Sequence, residues 1–324
     1  MCMRIVDLFS GAGGFASGFA SRSNGCHIAV DIDPFALDTY RLNYPEATIL
    51  HRNINSLHSL ELEHIVNGQP DVIIASPPCE EFSRANSRSF SPARDRIYGT
   101  GTARLVLDAI RIIGDLSPQV FIIENVAGIL ESGGRKILCR ELHRVGIDTV
   151  YFNLIRAHRH GNPSRRLRVF ISNLEFRLPT CSTPKVMEAI GDLPPMNFEA
   201  LFTPENEVPN HTFVHISEAK MKRVRKTGWG RGVKHFRVSK EKAVPNWVRF
   251  RPNQIATSII GNSRYIHPFE NRLLTVREHA RLMSYPDSFL FSGPTDSQYN
   301  QVGESVPPVI SHLIAKEVET YLEE

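Results

Sequence analysis

The sequence predicts an α/β protein: an open, mostly parallel sheet flanked by helices, interrupted late in the chain by a smaller irregular domain. Three observations predict it. Short apolar runs at Arg4–Leu8, Cys26–Val30, Val72–Ala75 and Val120–Ile123 read as buried strands. Helix-like stretches separate them, the alternation expected of crossover connections between parallel strands. From Thr180 to about Arg251 the alternation degrades into prolines, glycines and basic residues, and regularity returns at Arg272. The expected boundaries are a catalytic domain over 1–178, an inserted domain over 179–268, and a return over 269–324.

The first strand runs into Phe9-Ser10-Gly11-Ala12-Gly13-Gly14, followed by a helix-like stretch from Phe15. A Gly-rich turn there lets backbone N–H groups approach a ligand closely. The second strand ends in Asp31-Ile32-Asp33, and Asp31 lies twenty residues after Gly11, a spacing at which an acid can hold ribose hydroxyls. The glycines do not spell G-x-G-x-x-G, which argues against an ordinary dinucleotide site; a tight turn with a plain helix cap is the alternative. Pro34 opens a helix through Tyr44, in the first-turn position where proline is tolerated. Thr48–Leu50 reads as a strand, and Leu57–Val66 and Ala103–Leu116 read as helices. Val150–Ile155 and Arg168–Ile171 look like a strand pair, and alternation puts Arg166 and Arg168 on one face. Thr275, with Glu278 three residues on, caps a helix, and Pro307–Leu322 forms the last one.

The reactive residues gather at strand ends. Ser76-Pro77-Pro78-Cys79 stops the third apolar run, because the residue before each proline avoids helix. Cys79 therefore stands just past the carboxyl end of a central strand, where open α/β sheets bind ligands. A thiol held by a stiff turn is placed to act as a nucleophile; a small packed cysteine is the plain alternative. Glu124, in Glu124-Asn125-Val126, ends the next strand at the same edge. Between them, Phe82–Thr102 carries Arg84, Arg88, Arg94 and Arg96 among serines and glycines, a pattern expected of a mobile loop.

Composition narrows the classes. The chain has 324 residues, 41% hydrophobic and 22% charged, ordinary for a globular protein. No stretch approaches the roughly 18 apolar residues of a membrane span, and the start has no signal-peptide layout, so a cytoplasmic protein is expected. Five scattered cysteines without metal-ligand spacing predict reduced thiols and no structural metal. Residues 220–251 hold twelve Lys/Arg against Glu241, a charge of +11, while the whole chain carries +4 and the remainder therefore −7. Trp229, Phe236, Trp247 and Phe250 lie among those charges. A basic block with aromatics predicts a nucleic-acid partner, since bases stack on aromatic rings.

These motifs, in this order and across nearly the whole length, resemble those of the cytosine-5 DNA methyltransferases. Asp7–Gly14 is similar to the S-adenosylmethionine loop, Pro77-Pro78-Cys79 with Phe82-Ser83 to the nucleophile motif, and Glu124-Asn125-Val126 to its acid partner. Arg166-x-Arg168 resembles the paired-arginine motif, Arg277–Arg281 the helix that closes the recognition domain, and Gly303–Val306 the final cofactor motif. Glu80, Asn53, Ser164 and Glu304 depart from the family's usual Gln, Asp, Gln and Asn.

The resemblance implies a Rossmann-like S-adenosylmethionine-dependent methyltransferase fold with an irregular target-recognition domain. It implies Cys79 as nucleophile at cytosine C6, Glu124 as the acid at N3, and Arg168, supported by Arg166, at O2. It implies a cofactor site built from Phe9, Ser10, Gly11, Ala12, Gly13, Gly14, Asp31, Ile32, Asn53, Ile54, Pro77, Ser305 and Val306, holding S-adenosylmethionine and releasing S-adenosylhomocysteine. Double-stranded DNA is the implied partner, met by Ser83, Arg84, Arg223, Arg225, Lys226, Arg231 and Arg251, with the cytosine flipped from the stack. A monomer near the nucleoid is expected from the same likeness, which leaves open whether a cognate restriction endonuclease accompanies it. The alternatives are the same chemistry on tRNA, although no Cys-Phe-Thr signature follows the Pro-Cys pair, and a catalytically silent nucleic-acid binder.

Overall fold

The computed structural model describes residues 3–23, 26–83, 92–196, 208–237, 243–261 and 264–324. The chain divides into two compact units. The first comprises 1–156, 167–179 and 310–324, the second 157–166 and 180–309. This differs from the expected boundaries: residues 269–309 group with the insertion, and only the last helix returns.

The first unit is built on a seven-stranded sheet. Its strands are β1 (Ile5–Leu8), β2 (His27–Asp31), β3 (Thr48–His51), β4 (Val72–Ala75), β5 (Val120–Asn125), β6 (Tyr151–Arg156) and β7 (Leu167–Ser172). The order is β3-β2-β1-β4-β5-β7-β6. The first five run parallel, and β7 pairs antiparallel with both β5 and β6. β1, β4 and β5 are buried along their whole length, which explains why they read as continuous apolar runs. The strand order reverses between β1 and β4, so their carboxyl ends flank the crevice where such sheets bind ligands.

The helices follow from local chemistry. In α1 (Pro34–Asn43) the Asp33 side chain accepts from the Phe35 amide at 2.9 Å. α2 spans Ser59–Val66 and α3 Ala93–Ile97. α4 (Leu105–Leu116) buries Val106, Ala109, Ile110 and Ile113, one helical face, and α5 spans Gly134–Arg144. The helix expected from Phe15 is replaced by two short 3₁₀ turns, Ala16–Gly18 and Ala20–Arg22. The reason is close packing. The last helix, α10 (Pro308–Glu323), sends Ser311 to accept from the Gly18 amide at 2.9 Å and to donate to the Phe15 carbonyl. A β-carbon on Gly18 would lie 2.3 Å from the Ser311 carbonyl oxygen.

The second unit is more regular than expected. It holds α6 (Val186–Ile190), α7 (Glu218–Lys226), a sheet of β8 (Gly232–Arg237), β9 (Ala243–Arg249) and β10 (Tyr265–Ile266) in the order β10-β9-β8, then α8 (Val276–Leu282) and α9 (Thr295–Glu304). The capping box on α8 is present: Thr275 Oγ1 accepts from the Glu278 amide, and Glu278 accepts from the Thr275 amide. Arg277 is fully buried and donates to the carbonyls of Pro209, Pro286 and Phe289. Arg272 and Glu278 form a buried two-pronged pair at 2.8 Å. Among the described residues no helix is long and apolar enough to cross a membrane.

Two buried histidines make stability pH-dependent. His27, against Tyr40, and His279, between Tyr265 and Tyr299, are both pushed down to about 4 by burial. They stay neutral in the fold, whereas the unfolded chain takes up protons below about 6.5. Stability is therefore lost as pH falls from 6.5 toward 4, by roughly 2–3 kcal/mol for each histidine at pH 4.5. Burial raises the Asp7 and Asp31 carboxyls, which works in the opposite sense. A comparison with His279→Phe cancels that contribution. The variant should lose less denaturant resistance than the parent between pH 7 and 4.5, and equal slopes would remove His279 as a cause.

Candidate active site

Four strand ends carry the candidate residues. At the end of β1 the backbone turns sharply at Phe9, whose φ of 56° lies in the left-handed region that a bulky residue rarely enters. Gly11 follows with φ +52° and no atom within 4 Å of where a β-carbon would stand. Gly13 is the opposite case, because a β-carbon there would strike the Tyr44 ring at 2.4 Å. Gly13 thus serves internal packing, while Gly11 faces open space. Asp31 anchors the loop: its carboxylate accepts from the amides of Gly11 at 2.8 Å, Ile32 at 2.7 Å and Asp33 at 2.9 Å. Ile32, beside it, is 62% exposed.

Beneath the loop lies a buried polar chain. The Tyr40 hydroxyl donates to Asp7 Oδ2 at 3.1 Å and sits 2.6 Å from His27 Nε2. The other Asp7 oxygen and the Ser10 hydroxyl are buried and have no hydrogen-bond partner. Burial, and Asp31 nearby, hold the Asp7 carboxyl well above its usual range even with Tyr40 donating to it.

At the next two strand ends stand Cys79 and Glu124. Cys79 is half-buried and opens a 3₁₀ turn, Glu80–Phe82. Asn125 ties the two ends together, since its amide donates to the Pro77 carbonyl at 3.2 Å. The turn is pinned from below by Arg96, which donates to the Glu81 carbonyl at 3.1 Å and lies 4.8 Å over the Phe82 ring. Glu124 is buried, and Arg168 Nε approaches Glu124 Oε1 to 2.8 Å. Glu124 Oε1 has no aligned hydrogen bond, so the contact is an ion pair that leaves this oxygen with unused acceptor capacity. A second Arg168 nitrogen donates to the Leu167 carbonyl at 2.9 Å. A thiol and a carboxylate held at neighbouring strand ends, with a guanidinium on the carboxylate, suit nucleophilic addition to a ring that must gain a proton elsewhere.

The family model for C-5 cytosine-specific DNA methylase matches residues 3–320. The chain belongs to that family. M.MjaORF1200P of Methanocaldococcus jannaschii, provisionally named a type II methyltransferase, is 36% identical, with 99% of each chain covered. The type II methyltransferase M1.HphI of Haemophilus parahaemolyticus is 31% identical over 98% of this chain and 87% of its own. The fold is shared with an E. coli prophage protein, provisionally described as a DNA modification methyltransferase, at a TM-score of 0.75 and 22% identity. That match covers 99% of this chain and all of the other.

Within this methylase some expected residues fall elsewhere. Ile54 is buried in the core of the first unit, so its side chain does not edge a ligand. Asn53 is exposed and caps the turn Ile54–Ser56 by accepting from the Asn55 amide. Arg166 precedes β7, so strand alternation does not govern it; it is fully buried and donates to the carbonyls of Ile259 and Gly303 at 3.0 and 2.9 Å. Those contacts make it a positioning residue of the second unit. There too Ser305 Oγ donates to the Val302 carbonyl, and Val306 is buried. In the loop expected to be mobile, Arg84 and Arg88 lie outside the described residues, while Arg96 is buried in α3.

In the basic segment Arg223, Arg225, Lys226, Arg231 and Arg251 are exposed, Arg225 being paired with Glu218 at 3.3 Å. Trp247 and Phe250 are core residues, and Trp229 is exposed; the Phe236 side chain lies outside the described set. Sequence reasoning did not find Asn125 as a tether or Arg96 as a staple. Their only signal is a position beside Glu124 and inside an Arg-rich loop.

Proposed function

We propose that this methylase transfers a methyl group from S-adenosylmethionine to C5 of a cytosine rotated out of duplex DNA, through a covalent bond between Cys79 and C6. The observation that carries the reading is the placement of Cys79 and Glu124 at strand ends joined by the Asn125–Pro77 hydrogen bond. Cys79 Sγ adds to C6 as N3 takes up charge, and Glu124 supplies or shares a proton at N3. Arg168 holds Glu124 and takes the cytosine O2, a site for a planar donor. Once C5 carries the methyl group its proton leaves, the C5–C6 double bond re-forms, and Cys79 departs as thiolate.

The residues at the ends of β1 and β2 fit S-adenosylmethionine. The unpartnered Ser10 hydroxyl and Asp7 oxygen can meet the charged amino-acid end, with Asp31 toward the ribose and exposed Ile32 against the adenine. Phe9, Gly11, Ala12, Gly13, Gly14 and Pro77 frame that place by motif and position, and Ser305 and Val306 are assigned to the cofactor by motif alone. When bound, the group supplies an electrophilic methyl on sulfur. The type II names of the relatives support a companion endonuclease.

The test is methyl transfer from labelled cofactor to fragmented genomic DNA and to tRNA. The expected result is label in DNA, at cytosines within one short sequence on bisulfite mapping. Label in tRNA alone would move the substrate to RNA, and label in neither would leave a silent binder.

A further inference from the structure

Single exposed aromatics are common on protein surfaces and carry no meaning alone. One pair in the second unit is different, because the fold spends a buried charge on holding it. Trp229 is 51% exposed and Phe269 61%, and their rings meet edge to face with centroids 6.1 Å apart. They sit on two turns, one after α7 and one after β10. Arg249 lies buried behind both. Its guanidinium donates to the carbonyls of Thr227 and Val224 on one side. On the other it reaches the carbonyls of His267 and Glu270 and the side chain of Asn271, every contact between 2.6 and 2.9 Å.

Two further bonds fix the tips. His267 Nδ1 accepts from the amides of Phe269 and Glu270. The Trp229 indole N–H donates to the Pro268 carbonyl at 2.8 Å. The indole has therefore spent its only donor inside the protein, and the pair presents apolar ring surface alone. Arg231 and Arg251 are exposed beside it, Arg251 packing against Gly230.

We infer that Trp229 and Phe269 form a rigid, specificity-determining contact with the base edges of duplex DNA, with Arg249 as its positioning residue. The inference rests on the DNA reading above. Arg249 apart, the +11 segment 220–251 exposes Arg223, Lys226, Arg231 and Arg251, which favours a polyanion. Rings without a free donor read apolar features, and the apolar group that the major groove offers is the thymine methyl. Pre-organisation by Arg249 means that the contact costs little ordering on binding.

The experiment profiles methylation of a fragmented genomic library by bisulfite sequencing for the parent, Trp229→Ala, Phe269→Ala and Arg231→Ala. It is accompanied by thermal unfolding and by the salt dependence of DNA binding. Trp229→Ala and Phe269→Ala should relax one or two positions of the methylated sequence by about 5–150-fold, the scale of a lost base contact. Their salt slopes should match the parent. Arg231→Ala should keep the sequence profile and lower the slope by about 0.9, one phosphate contact. A parallel library with deoxyuridine in place of thymidine should reproduce the relaxation in the parent and add nothing in Trp229→Ala. An unchanged sequence profile in both aromatic variants overturns the inference, as does a uniform rate loss across all sequences. No methylation of any DNA by the parent would instead sink the reading on which it rests.

Discussion

Cys79→Ala should abolish methyl transfer, by about four orders of magnitude or more, the scale seen when a covalent nucleophile is removed. The same residue should be trapped by a duplex carrying 5-fluorocytosine at the target. On the proposed mechanism Cys79 adds to C6, the methyl group arrives at C5, and the step that frees the thiol needs loss of a cation from C5. A proton can leave in that way and fluorine cannot, so the adduct persists. It should survive denaturing electrophoresis, require S-adenosylmethionine and map to the peptide containing Cys79. The competing thiols have other surroundings: Cys26 directly precedes β2, Cys139 lies within α5, and Cys181 is an exposed residue of the second unit, while Cys2 lies outside the described residues. An adduct on one of these, or full turnover in Cys79→Ala, would remove the nucleophile from the mechanism. Trapping of fluorinated tRNA without trapping of a fluorinated genomic library would keep the mechanism and change the substrate.

The parts of this site legible in the sequence are those where burial dictates composition. β1, β4 and β5 are covered on both faces, so each reads as an uninterrupted apolar run, and the residue that ends the run marks the functional edge. The strand ends near Cys79 and Glu124 are legible for that reason, Cys79 lying four residues past the end of β4 and Glu124 inside β5's buried run. The direction of the Ile54 side chain is not legible, because a motif position names a neighbourhood, and this side chain turns into the core. The second unit hid its regularity for physical reasons. α7 buries only Val224 among its charges, so it shows no apolar stripe. β8 and β9 mix lysine, histidine, arginine and proline on short strands. Nor can composition separate a charge that faces a partner from one that holds the fold. Arg249 and Arg251 are two residues apart, yet the first is a buried staple and the second is exposed.

Glu124 and Arg168 should differ in how they fail. Glu124→Gln keeps the shape and a hydrogen bond to N3 but has no proton to exchange there. Turnover should fall by about 10²–10⁴-fold, the usual contribution of a positioned acid or base. Affinity for S-adenosylmethionine should stay within a factor of two, because Glu124 ends β5 and the Gly-rich loop follows β1. Trapping by 5-fluorocytosine should slow in step with turnover, since in the proposed mechanism addition of Cys79 is the step that charges N3. Arg168→Lys keeps the charge beside Glu124 but loses the planar fork that reaches the carboxylate at 2.8 Å and the Leu167 carbonyl at 2.9 Å. The loss of the charged hydrogen bond to the Leu167 carbonyl, about 1.5–3 kcal/mol, corresponds to roughly a 10- to 150-fold drop in kcat/KM. Arg168→Ala should also lower the unfolding temperature, because it strands a buried carboxylate with no cation beside it. Single-turnover rates, cofactor affinity and unfolding temperature of the three variants separate these roles. Wild-type turnover in Glu124→Gln would exclude it as the acid at N3. An Arg168→Lys variant as active as the parent would reduce Arg168 to a counter-charge with no part in orienting Glu124.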